Sequence, residues 1–366
     1  MFFGQNYWNW HLFYRWSVLI LACSLAVSYV FGKKIHWTVG LLTLSVTCSS
    51  LLNLYISPDI SLQSIYVAAA QKKIGGVDIF TLKTVDIQRH VAFAMMSYLL
   101  LVFFVGWCTG RHTARTLRWV GILGLCNACI ILIQRAMVPV NPLAWGGLMG
   151  NPSMSACFVG ALLPLFPGYW SIPIGVVAIL ITKTSMALGV ACVSLMAWFI
   201  ISGGAWVVAL LAVSGLFSVG WMMQGQELFS STGRFQVWEL AYRWWTVQDA
   251  HWFGVGPGVA PSVMATIQSV SSIAPNDIFM WLHNEPLQLL FEQGIFGLLS
   301  GILVVTFSLW SSRHRPRLFA AICGFIAMSF GNYPTKLPSL ALTFAVLVAI
   351  SFQESKVSLA RSQNRV

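Results

Sequence analysis

Apolar runs close to the length of a bilayer crossing recur along this chain, divided by short polar or basic intervals. About 20 consecutive apolar residues cross the hydrocarbon core as a helix. Backbone groups in lipid must satisfy one another, so each run is expected to be helical. About eleven runs fit this template. They are Phe13–Phe31, Trp37–Ile56, Val91–Cys108, Leu117–Ile133, Met154–Trp170, Ile172–Ile181, Ser185–Ile201, Ala205–Met223, Leu287–Trp310, Leu318–Phe330 and Leu337–Phe352. The predicted fold is an all-α polytopic membrane protein of about eleven helices, or twelve. Its one large extracytoplasmic loop contains amphipathic helices.

Loop charge separates the two sides, because Lys and Arg concentrate in cytoplasmic loops. Ile172–Ile181 is short and could merge with its neighbour across Pro164, Pro167 and Pro173. Kept separate, it leaves four basic regions on one side: Lys33 and Lys34; Arg111, Arg115 and Arg118; Arg313, Arg315 and Arg317; and Lys356, Arg361 and Arg365. Merging would put the two Arg clusters on opposite sides, so two helices are expected. Residues 224–286 then form the extracytoplasmic loop, which is acidic on balance: Arg234 and Arg243 against Glu227, Glu239, Asp249, Asp277 and Glu285. The segment Ser57–His90 falls on the same side although Lys72, Lys73, Lys83 and Arg89 make it basic. Three regions result: residues 1–135, with N-terminal spans and an external loop; 136–311, which holds the large loop; and 312–366, with C-terminal spans and a basic cytoplasmic tail.

Composition supports this reading. The chain is 57% hydrophobic and 8% charged, where a soluble domain carries about 25% charged residues. Its 17 Trp fit interfacial belts. The net charge of +11 is spread over short loops rather than gathered in one patch, so no nucleic-acid partner is expected. No small-residue cleavage site clearly follows the first apolar run, so no signal peptide is read there. Cys126 and Cys129 form a C-x-x-C inside an apolar run, where helix packing is the simpler role. No acidic cluster calls for a divalent metal, and no cofactor is expected.

The polar interval Gln224–Pro286 gathers the groups suited to chemistry. Phe235, Trp238, Ala241, Tyr242 and Trp245 recur at helical spacing and predict an amphipathic helix on the membrane face. Arg234 falls near its N-terminus, where free N–H groups and the helix dipole favour anions. Its guanidinium matches phosphate oxygens; contact with lipid headgroups is the alternative. Gly254, Gly256, Pro257 and Gly258 form an irregular turn without the context of a dinucleotide site. His283 and Asn284, with Glu285 beside them, precede a helix starting near Pro286. An imidazole there can take a proton from a sugar hydroxyl, or serve structure alone. Upstream, Gly150-Asn151-Pro152 marks a helix entry, and Lys183 stands at the start of another helix, either binding an anion or snorkelling to the interface. Trp238, Trp244, Trp245, Trp252 and Trp281 are placed either to stack on sugars or to anchor the interface.

Taken in order, GNPSMSACFVGALLPL, ITKTSMALG, Gly233-Arg234 with GVGPG, and HNEPLQLLFEQGIFGLL resemble the superfamily of O-antigen ligases and O-antigen polymerases. The last pattern includes Glu292, Gly294 and Gly297. The resemblance covers roughly Ala136 to Ser311. It implies a bacterial inner-membrane glycosyltransferase with a periplasmic active site and a polyprenyl-diphosphate-linked glycan as donor. The acceptor would be lipid A–core, a growing glycan, or protein Ser or Thr, with ligase-like transfer to lipid A–core favoured. By the same resemblance Arg234 contacts the donor diphosphate and His283 binds or deprotonates the acceptor hydroxyl. Lys183, Asn284, Glu285, Arg243 and Asn151 are the expected substrate-binding residues. One departure is Ser185-Met186-Ala187, where the family often carries Ser-Arg-Gly; Lys183 would replace that charge.

Other classes predict different features. A transporter of lipid-linked glycans calls for charges or broken helices at mid-membrane, and almost no ionisable residue lies deep in a predicted span. A non-catalytic scaffold predicts that replacing His283 and Arg234 by Ala is silent.

Overall fold

The computed structural model describes residues 113–139, 145–203, 234–247, 251–254, 260, 264, 282–332, 334 and 337–363. Among these the regular elements are all helical. They are α1 Thr113–Met137, α2 Pro152–Leu162, α3 Ile172–Ile181, α4 Ser185–Ile201, α5 Arg234–Val247, α6 Glu285–Ser312, α7 Pro316–Ser329 and α8 Pro338–Gln363. The predicted spans Phe13–Phe31, Trp37–Ile56, Val91–Cys108 and Ala205–Met223 lie outside the described residues, and with them the full helix count. Two helices, Ala114–Met137 and Glu285–Ser312, are long and apolar enough to cross a bilayer by length and composition. Only 28% of each apolar window is buried. Partly exposed apolar helices of this length are compatible with a membrane protein.

Local chemistry sets many of the helix ends. Asn151 caps α2, its Oδ1 accepting from the Met154 amide at 3.1 Å, and Pro152 supplies the first turn. Pro173 and Pro316 lie in the first turns of α3 and α7. Between α2 and α3 the chain runs through a tight turn at Leu163–Leu165 and another at Tyr169–Ser171, so the two helices stay separate. Lys183 adopts φ 53° between α3 and α4.

The chain divides into two compact units. Trp107–Ser230 with Val305–Val366 forms one, and Met1–Gly106 with Ser231–Val304 the other. In the first unit, α4 packs on α2 and α7, and α1 on α2 and α3. Small residues permit the close approach, as is common where helices meet in lipid. A Cβ on Gly160 would lie 3.1 Å from the Ala187 carbonyl oxygen of α4, and one on Gly324 only 2.7 Å from Ala161 Cα of α2. The Ser194 hydroxyl is shared between the carbonyls of Ala161 (3.2 Å) and Ala320 (3.1 Å), joining three helices. Phe158 and Phe325 meet edge to face in the same core.

At one end of this unit, α1 and α7 both pack on the Leu163–Leu165 turn. Arg317, at the start of α7, lies over Tyr169 and over Trp198 near the end of α4. The opposite end is closed by a polar clamp on α1. Asn127 accepts from the Leu148 amide at 2.7 Å and donates to the Ser155 carbonyl at 3.1 Å. Gln134 accepts from the Gly147 amide at 2.8 Å.

Candidate functional site

In the second unit, α5 buries Val237 and Ala241 against Ala260, Met264, Leu282 and Phe291, with Leu240, Trp245 and Leu287 at the margin. Burying each large apolar side chain contributes about 1.5–3 kcal/mol. Phe235, Glu239, Tyr242 and Arg243 lie on the exposed side of α5. The helix is amphipathic as predicted, but its packed face is turned toward Val237 and Ala241. Phe235 and Tyr242, predicted on the apolar face, are exposed.

The segment before α6 is fixed from several directions. The Trp238 indole N–H donates to the Leu282 carbonyl, tying α5 to this segment. The Leu282 amide donates to Gln288 Oε1 at 3.0 Å, and Gln288 Nε2 donates to Glu292 Oε1 at 2.6 Å. Asn284 caps α6, accepting from the Leu287 amide at 3.0 Å through its side chain and from the Gln288 amide at 2.8 Å through its carbonyl. His283, half-buried between these anchored neighbours, adopts φ 50°. A non-glycine residue there costs of order 1–3 kcal/mol, and such strain persists where surroundings over-determine it.

The first half of α6 is polar on its buried side. Glu285, Gln288, Glu292 and Gln293 are all at most 4% exposed. Positions 285, 288 and 292 follow helical spacing and share one face. The helix then breaks at Gly294, with φ 66° and ψ −164°. Residues His251–Gly254 dock on the break, where the Ile295 amide donates to the His251 carbonyl at 2.9 Å and the Phe296 amide to the Trp252 carbonyl at 3.2 Å. A Cβ on Gly254 would meet Glu292 C at 2.3 Å, and one on Gly294 would meet Trp252 C at 2.3 Å. Two glycines thus let two backbones touch.

His283, Asn284 and Glu285 fall together at the head of α6. Arg234 begins α5, one helical turn before Trp238, whose indole holds Leu282. Arg243 is exposed and paired with Glu239 at 2.5 Å. Asn151 and Lys183 belong to the other unit, Asn151 as a helix cap and Lys183 exposed in a left-handed turn. Among the predicted sugar-stacking tryptophans, Trp238 is a structural donor, Trp245 packs edge-on to His251, and Trp252 is exposed. The side chain of Trp244 and all of Trp281 lie outside the described residues. No group of three or more potential metal ligands occurs among the described residues.

No protein-family model and no curated protein matches this chain. Its chemistry therefore rests on the residues themselves. Gln288 and Gln293 are not among the residues expected to bind substrate, although Glu285, Gln288 and Glu292 stand at visible helical spacing. A polar stripe on an otherwise apolar helix was the available signal.

Proposed function

We propose that this chain is a membrane glycosyltransferase of the O-antigen ligase type. It moves a glycan from a polyprenyl-diphosphate carrier to an acceptor hydroxyl, with lipid A–core as acceptor, at the periplasmic face of the bacterial inner membrane. The observation that carries the reading is the tie between Trp238 and Leu282. It links the helix that starts at Arg234 to the residue immediately before His283. The segments that carry Arg234 and His283 thus pack against each other.

In this reaction the acceptor oxygen bonds to the donor's anomeric carbon while the bond from that carbon to the diphosphate oxygen breaks. His283 takes the hydroxyl proton. Arg234 offsets the charge released on the diphosphate, which is already a good leaving group, so charge neutralisation matters more than protonation. The strained backbone at His283 suits a group held for a task, since such outliers cluster at functional sites.

The test is surface-glycan profiling in a deletion strain complemented with wild type, Arg234→Ala or His283→Ala, with membrane expression checked. Restoration of long glycan on lipid A–core by wild type alone supports ligation. Chains that stop at one repeat in the deletion would make the protein a polymerase. Untouched glycans with altered protein glycosylation would make it a protein O-oligosaccharyltransferase. Full activity in both variants would remove this site from the reaction.

A further inference from the structure

The unit formed by Trp107–Ser230 and Val305–Val366 is basic in an unusual way. No Asp or Glu occurs between Asp86 and Glu227, nor between Glu292 and Glu354. Arginines nevertheless gather at one end. Arg115 and Arg118 lie in the opening turns of α1, and one turn further Gly121 abuts the Leu165 backbone. Arg313, Arg315 and Arg317 surround the start of α7, which packs on the same turn. All five are exposed. The opposite end has Arg135, folded over Trp145, and the exposed Lys183.

Aromatic rings mark the same rim. Trp119, Tyr169, Trp170 and Trp310 are each at least 63% exposed. Arg313 sits 4.3 Å over the Trp310 ring, and Arg317 5.3 Å from Trp198 and 5.9 Å from Tyr169. These contacts hold guanidiniums at the level of amphipathic rings, the level that lipid headgroups occupy. Basic residues far outnumber the unit's two acidic ones, Glu227 and Glu354, so the exposed Arg313 and Arg317 favour counter-charge from outside. Ringed by exposed aromatics, they fit phosphates anchored in a plane better than a free anion.

We propose that this rim binds anionic phospholipid headgroups, with Arg313 and Arg317 as its centre and Arg115 and Arg118 at its flank. The inference uses the membrane setting but not the transfer reaction. The probe is phosphatidylglycerol, offered to the purified full-length chain in nanodiscs of phosphatidylcholine with increasing phosphatidylglycerol, read as a shift in thermal unfolding. Each basic residue near an anionic surface contributes roughly 1 kcal/mol. The double variant Arg313→Gln/Arg317→Gln should therefore need about thirtyfold more phosphatidylglycerol for the same shift. Its unfolding temperature in pure phosphatidylcholine should match wild type, and Arg135→Gln at the other end should keep the full response.

An equal response in wild type and double variant overturns the proposal. If the double variant misfolds, Arg115→Gln/Arg118→Gln gives the same reading with a smaller expected loss. A full shift produced by glycerol phosphate without acyl chains would make this a soluble-phosphate site and also overturn it. Failure to enter phosphatidylcholine nanodiscs would refute the membrane setting itself, whereas entry without a phosphatidylglycerol response refutes only the rim.

Discussion

Replacing Gly254 by Ala should markedly destabilise the packing around the break in α6. The residue has φ 69°, and an added Cβ would sit 2.3 Å from Glu292 C, 2.4 Å from Gln293 N and 2.5 Å from Glu292 O. These are backbone atoms, so no rotamer change relieves the clash. The left-handed backbone alone costs an alanine about 1–2 kcal/mol. If His251–Gly254 lifts from the break, the Ile295 and Phe296 amides lose their acceptors, at about 1–3 kcal/mol each where they stay buried. The expected loss is therefore about 3 kcal/mol or more. Two other glycines separate the terms. Gly203 has φ 67° with nothing within 4 Å of an added Cβ, so its Ala variant carries strain alone. Gly189, inside α4, has neither positive φ nor a near neighbour, and Ala there should gain about 0.5–1 kcal/mol. Thermal unfolding of the purified chain should rank Gly189→Ala at or above wild type, then Gly203→Ala, then Gly254→Ala. Hydrogen exchange at the amides of residues 295 and 296 should accelerate only in Gly254→Ala. A Gly254→Ala protein as stable as Gly203→Ala, with unchanged exchange there, would refute the interlock.

Three further outcomes follow from the polar contacts. Trp238→Phe keeps the ring but removes the donor to Leu282, and should cost about 1–3 kcal/mol in denaturant titration and reduce glycan transfer; unchanged transfer would mean that the α5 tie does not position His283. Gln288→Leu removes the acceptor for the Leu282 amide and a donor to Glu292, so a loss of about 2–4 kcal/mol is expected in the same titration, against near-neutral effects for a surface Gln such as Gln236. Asn284→Ala should lose about 1 kcal/mol as a missing helix cap, while Asn284→Asp should hold its stability; unchanged melting of both variants, measured by circular dichroism, would show that the cap is dispensable.

The helices could be read where punctuation bounded an apolar run. Ile172–Ile181 and Ser185–Ile201 appear with the predicted limits, because Pro173 opens the first and the Thr182–Thr184 turn divides them. Loop charge argues for keeping α2 and α3 apart, and in the fold they are separate helices. The helix at Arg234 was also legible, but its inner face was not. Aromatics occur all around α5, so apolar spacing alone selects no unique side. What decides it is that Val237 and Ala241 are small enough to meet Leu282 and Phe291 closely. The candidate site was legible as a residue list near Pro286, since Asn-x-Pro announces a helix start. The tie from Trp238 to Leu282 crosses 44 positions and leaves no local signal. The same holds for the docking of His251–Gly254 on Gly294.

The break in α6 resolves a conflict that a straight helix could not. The buried stripe Glu285, Gln288 and Glu292 would continue, at helical spacing, to Phe296, Leu299 and Ile302. Those three are apolar, yet 45%, 51% and 50% exposed. An unbroken helix would either bring them inward behind the glutamates or turn the glutamates outward with them. Gly294, at φ 66° and ψ −164°, occupies a region open essentially to glycine alone, and there the inward face changes. The polar half can then stay packed around Leu282 and the His283 turn. The face bearing Phe296, Leu299 and Ile302 is left outward. The two amides exposed by the break are returned to the carbonyls of His251 and Trp252. One glycine thus lets a single helix serve a polar packing task at its head and an apolar surface along its body. Any side chain at Gly294 should force the choice between them, so Gly294→Ala should disturb the burial of Glu292 even though the two side chains need never touch.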